Sequence, residues 1–142
     1  MTYESCEAGL AVQLRATALL EDAQVTLGDW KVLNGGPPHA AIIEYEAFRL
    51  SRDTSEQTTM MVWTSRINVL ARYTDDVAVH NALRDIRDQI ILKVLQNPTL
   101  GSVCLDSLPV RGGKTEPDEV VIGNVTFLKE FIDVDIEEII NA

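Results

Sequence analysis

The stretch MMVWTSRINVLARYTDDVAVHNALRDIRDQIILKVLQNPTLG, residues 60–101, changes its hydrophobic period half-way along and so decides the fold. Over 60–72 the residues alternate. Met61, Trp63, Ile67 and Val69 point one way and Thr64, Arg66, Asn68 and Arg72 the other, the period of a strand. Thr74-Asp75-Asp76 then supplies a capping side chain and two acids suited to the positive end of a helix. From there Val79, Leu83, Ile86, Ile90 and Val94 fall within about a third of a helical circumference. Ile91 and Leu95 widen that stripe, and Arg84, Asp85, Asp88 and Gln89 cover the outside. Asn97-Pro98 stops the helix, because proline cannot continue its hydrogen-bond ladder. A strand followed by an amphipathic helix packed on a sheet is the reading.

Upstream, residues 40–50 also alternate, with Ala41, Ile43, Tyr45 and Ala47 on one face and Ile42, Glu44, Glu46 and Phe48 on the other. The polar run SRDTSEQTT, 51–59, reads as an exposed loop, so the two strands form a long antiparallel hairpin. Residues 3 to about 23 read as a helix with two apolar rows: Cys6, Leu10 and Leu14, and opposite them Val12, Ala16, Leu19 and Ala23. A helix apolar on two sides is expected to be covered twice, by the sheet and by a neighbouring subunit. Residues 30–33 suggest a short strand closed by Asn34-Gly35-Gly36-Pro37-Pro38.

Downstream, 101–110 reads as a strand, 111–117 as a loop and 119–134 as the last strand, with 135–142 a turn or frayed end. That last strand is apolar on both faces, Val121, Val125, Phe127 and Phe131 against Leu128, Ile132, Val134 and Ile136, which implies burial on both or an interface. The order is α-β-β-β-α-β-β without repeats or an internal boundary. One α+β domain over 1–142 is expected, an antiparallel sheet with a long β-hairpin packed by two helices.

The charge narrows the function. Twelve Lys and Arg against 22 Asp and Glu leave −10, which disfavours a protein that grips nucleic acid or an anionic membrane. Eight of those acids fall in 116–142 against one base, Lys129, so the far end is an acidic surface. Cys6 and Cys104 form no CxxC pair and are expected to pack as small hydrophobes in a reducing compartment. The opening Met1-Thr2-Tyr3-Glu4-Ser5 resembles no secretory leader, and no apolar run is long enough for a membrane span.

Chemistry is sparse. Neither His39 nor His80 belongs to a metal-ligating pattern, so no metal and no cofactor are expected. Gly112-Gly113-Lys114-Thr115 ends like a phosphate-binding loop, but Leu108 stands where its first glycine belongs and a strand follows. Glu44 and Glu46 have a spacing compatible with acid–base work, and with His80 they are the residues an enzyme or small-molecule binding module would use. Arg49, Arg52, Arg66 and Arg72 make the hairpin basic, a counterpart for the acidic end in self-assembly.

The segment ALRDIRDQIILKVLQNPTLG, 82–101, an amphipathic helix closing on Asn-Pro-Thr-Leu-Gly before a strand, resembles bacteriophage tail terminator proteins, also called tail-completion or tail-to-head joining proteins. The element order, the length and the hairpin ahead of the helix are similar as well. The resemblance implies a structural virion protein of the tail neck, not an enzyme, assembled in the host cytoplasm. It implies a homo-hexameric ring that caps the tail tube and stops its polymerisation. The ring would offer a joining surface to the head-tail connector or stopper while DNA passes through its lumen unbound. Head-tail stoppers and tail tube subunits share related folds and are the neighbouring alternatives. On this reading ring or tube contacts are expected at the hairpin tip (Arg52, Asp53, Glu56) with Arg49 and Arg72, at the loop Gly112, Gly113 and Lys114, and on the last strand at Phe127 and Phe131. Reversing Arg49, Arg52 and Arg72 to Glu is expected to weaken assembly if the hairpin is an interface.

Overall fold

In the computed structural model, which describes residues 3–53, 58–115 and 118–140 and only the backbone at 52, 53 and 58, the chain runs α1 (Tyr3–Arg15), β1 (Val25–Leu27), β2 (His39–Asp53), β3 (Thr58–Arg72), α2 (Asp76–Gln96), β4 (Asp106–Gly113), β5 (Glu119–Ile122) and β6 (Val125–Ile140). The strands form one sheet in the order β1-β2-β3-β6-β4, with β5 beside β6. Every pairing is antiparallel except β1 on β2. The α+β expectation holds, with one strand more than the sequence suggested.

Alternation sends Ala41, Ile43, Ile67, Val69, Ile132 and Val134 to the same face. There they meet Cys6, Leu10 and Leu14 of α1 and Val79, Leu83, Ile86, Ile90 and Val94 of α2 in one buried core. Each large side chain buried there contributes on the order of 2 kcal/mol. Asp75 caps α2 by accepting from the Ala78 N–H at 2.8 Å. Among the described residues the opposite face is covered at one end alone, where Leu33, Ala40, Ile42, Leu70 and Phe127 pack under Trp30 and the β5 side chains Val120 and Ile122.

Local signals misplace several boundaries. Helix α1 stops at Arg15 instead of near 23, as the Thr17 hydroxyl donates to the Leu14 carbonyl and the chain turns to send Leu20 and Val25 into the core. Of its expected second apolar row, Val12, Ala16 and Ala23 are exposed, while Leu19, beyond the helix end, packs half-buried against the core. Residues Trp30–Gly35 form a 3₁₀ helix, capped by Asp29 and closed by Gly36 at φ 62°, and the short strand is Val25–Leu27 instead. Leu100, Gly101 and Ser102 all have positive φ, which holds 101–105 in a turn. That turn starts β4 at Asp106 and leaves Cys104 buried outside any strand. The expected last strand is a hairpin of β5 and β6 turning at Gly123, φ 60°, and Asn124. Strand β6 then continues to Ile140, because 135–140 pair with β3 from Thr64 back to Thr59.

Candidate functional site

The uncovered part of the sheet carries a row of alternating charge. Pairing sets Glu44, Arg66, Asp133 and Arg111 side by side across β2, β3, β6 and β4. Asp133 is completely buried between two guanidiniums, accepting from Arg66 Nε at 2.9 Å and Nη2 at 3.2 Å and from Arg111 Nε at 2.6 Å. Burial pushes its pKa up, but these bonds and charges outweigh that and hold the carboxyl below its usual range. Arg66 stacks 4.2 Å over the Phe131 ring and lies 3.6 Å from Glu46. Beside this row Arg49 reaches Asp135 at 3.3 Å, and the Thr64 hydroxyl donates to the same carboxylate at 2.8 Å. Hairpin base and acidic end therefore do meet, within a single chain.

On the helix side β6 brings another acid inward. Glu138 is buried, with the Cys6 thiol donating to Oε1 at 2.7 Å and the Trp63 indole N–H to Oε2 at 3.2 Å. Burial pushes the Cys6 thiol up and Glu138 adds to it, while burial takes Cys104 up to about 11. Both thiols are protonated at neutral pH, which is what lets Cys6 donate. These are packing cysteines.

The sheet has two free edges, and they differ. Beyond Ile43 no strand among the described residues pairs with the outer side of β2, where Tyr45, Phe48 (54% exposed) and Leu50 (59%) face solvent. A bulge at Glu46 switches the alternation, so Phe48 shares the helix side with Trp63 while Ala47 and Arg49 lie on the open side, the reverse of the sequence reading. At the opposite margin no strand among the described residues pairs with the outer side of β4, where Leu108 (51%) and Val110 are exposed, as is Leu105 just ahead of it. It carries Pro109, a bulge at Val110, and Gly112 pressed against the β6 backbone, where an added Cβ would sit 2.6 Å from the Phe131 carbonyl oxygen. A groove of about 360 Å³ runs beside it, floored by Ile91 and Ile132 and rimmed by Arg87 and Arg111. No family model matches this chain, and comparison with curated proteins finds no match.

Of the residues expected at contacts, Arg49 lies on the open face at the free β2 edge. Arg52 and Asp53 end β2, paired with Thr59 and Thr58, and Glu56 lies outside the described residues. Arg72 donates to the Gly36 carbonyl at 2.7 Å. Gly112 and Gly113 belong to β4 and not to a loop, and Lys114 follows them 3.4 Å from His80 Nε2. Phe127 is buried and so is corrected from a contact residue to a core residue; Phe131 is half-buried under Arg66. Glu44 accepts from Asn68 on the open face and Glu46 sits in the bulge, whereas His80 is on the outer side of α2 across the sheet, its Nδ1 on the Asp76 carbonyl. Those three share no cleft. The sequence missed both edges, though the Gly123-Asn124 turn between alternating runs was a signal that a hairpin turns there and that β6 begins late.

Proposed function

We propose that this chain is a structural assembly protein that joins head to tail into a closed ring, with the role of a phage tail terminator. The ring caps the tail tube, occupies the face on which another tube ring would add, and meets the head connector or stopper on its other side. The observation that carries the reading is the pair of unlike free edges, β2 and β4, on opposite margins of one sheet. Unlike edges make a heterologous contact, and such contacts either close into rings or run on as filaments. With the helices outside, the open face lines the lumen, its acids Glu44, Glu46, Asp135 and Glu137 largely matched by Arg49, Arg66 and Arg111, a wall of paired charge along which DNA passes without being held. Homo-hexamer, tube protein, connector and a place in the virion neck all belong to this proposal.

Size exclusion with light scattering at two salt concentrations tests it. A discrete species of about six subunits is expected. Long polymers would move the assignment to the tube subunit, and a monomer at every concentration would overturn it.

A further inference from the structure

The structure points to a single seam between copies, and we propose its register: the outer edge of β2 over 44–49 pairs antiparallel with the outer edge of β4 over 106–111 of the next copy. The inference rests on the ring reading and specifies its contact. Direction comes first. Strands β2, β3, β6 and β4 alternate, so when one sheet continues into the next with helices on the same side, β4 meets β2 antiparallel.

Residues opposite each other in such a pair share a face. On the open side β4 presents Asp106, Leu108 and Arg111, and β2 presents Glu44, Ala47 and Arg49. One register sets Asp106 opposite Arg49 and Arg111 opposite Glu44, with Leu108 on Ala47 between them. The same register brings Leu105, which leads into β4 with its N–H donating to the Glu137 carbonyl, opposite Leu50, so that two exposed leucines cover each other. Each strand has one extra residue, Glu46 and Val110, and the register brings the two bulges into line. Sliding by two residues one way sets Leu108 on Arg49 and Arg111 on Ala47. Sliding the other way sets Leu108 on Glu44 and lays β4 from Pro109 onward along Ile43, Ile42 and Ala41, all of which β1 already occupies, where the favoured register brings only the two closing glycines to that stretch. Neither alternative makes an ion pair, and in both the bulges fall out of line. A strand carrying proline and a bulge is a poor template for arbitrary strands, so the β4 edge selects its partner. Arg49 and Arg111, each 64% exposed at the side chain, keep donors beyond those given to Asp135 and Asp133.

The test pairs two exposed residues of the seam. In the double variant Ala47→Cys/Leu108→Cys, mild oxidation with diamide should give a covalent ladder up to ring size on a non-reducing gel, with the 47–108 bond found by peptide mapping. Neither single variant should give that ladder. Asp106→Arg should weaken assembly about tenfold, and adding Arg49→Asp should restore most of it. A discrete ring-sized species in light scattering with no 47–108 bond overturns the seam and leaves the ring standing. A monomer at every concentration overturns both.

Discussion

Asp133 is the residue on which the open face turns. Two arginines from different strands close over it, one of them anchored on a phenyl ring, so a single carboxylate ties β3, β6 and β4 together. Removing one member of a buried ion group leaves uncompensated charge, at a cost of about 3–5 kcal/mol. Arg111 is open to water, which places the loss for Asp133→Asn near about 2–3 kcal/mol at pH 7. The pH dependence follows from the lowered pKa. The folded carboxyl titrates below the unfolded one, so its contribution is present above about pH 4 and fades as pH falls through the folded value. Urea melts of wild type and Asp133→Asn should therefore differ most at neutral pH and converge toward pH 3; a gap that persists undiminished in acid would refute the ionic account. The arginine cluster and the acidic end were both legible in the sequence. That each satisfies the other inside one chain was not, because strand order fixes the partners and β6 is distant from β3 in sequence.

At the scale of elements, legibility tracks how local each signal is. Helix α2 and strand β3 were readable because their periods run unbroken for more than a dozen residues, and the cap of α2 lies directly ahead of it. Helix α1 overran because Ala and Leu continue past Arg15, and only the demand for Leu20 and Val25 in the core turns the chain. The β2 bulge was invisible in the alternation, since it depends on which β3 residue stands opposite. Gly9 shows the same split. A glycine inside a helix costs propensity, yet in the fold its missing Cβ lets the helix lie against the turn: a Cβ would stand 2.8 Å from the Leu100 carbonyl oxygen and 2.5 Å from a Val103 methyl. A valine methyl can move, but the carbonyl sits between positive-φ residues that have little room to adjust. Gly9→Ala gains helix propensity of about 1 kcal/mol and still should lose about 1–2 kcal/mol net through overpacking. A thermal melt reads the sign, and a stabilised variant would mean that α1 can slide off the turn.

For the whole molecule, the question is why a protein exposes a long strand edge bearing Tyr45, Phe48 and Leu50. Free edges with apolar side chains invite uncontrolled pairing, and proteins that remain single blunt them with charge, proline or a covering segment. Here β4 carries such a guard in Pro109 and its bulge, while β2 beyond Ile43 has no proline and holds its charges, Glu44, Glu46 and Arg49, on the open side, leaving its helix side apolar with Tyr45, Phe48 and Leu50. One guarded edge and one inviting edge is the asymmetry of a head-to-tail assembly, in which the inviting edge is covered by a partner it fits. If so, blocking β2 should separate assembly from folding. Phe48→Lys/Leu50→Lys replaces two side chains already 54% and 59% exposed, so the isolated chain should lose less than about 1 kcal/mol in a urea melt. Light scattering of the same preparation should show only monomer, since lysines on an edge oppose pairing. Assembly undiminished in that variant would remove β2 from the interface and leave the groove beside β4, between Ile91 and Val110, as the surface through which copies meet.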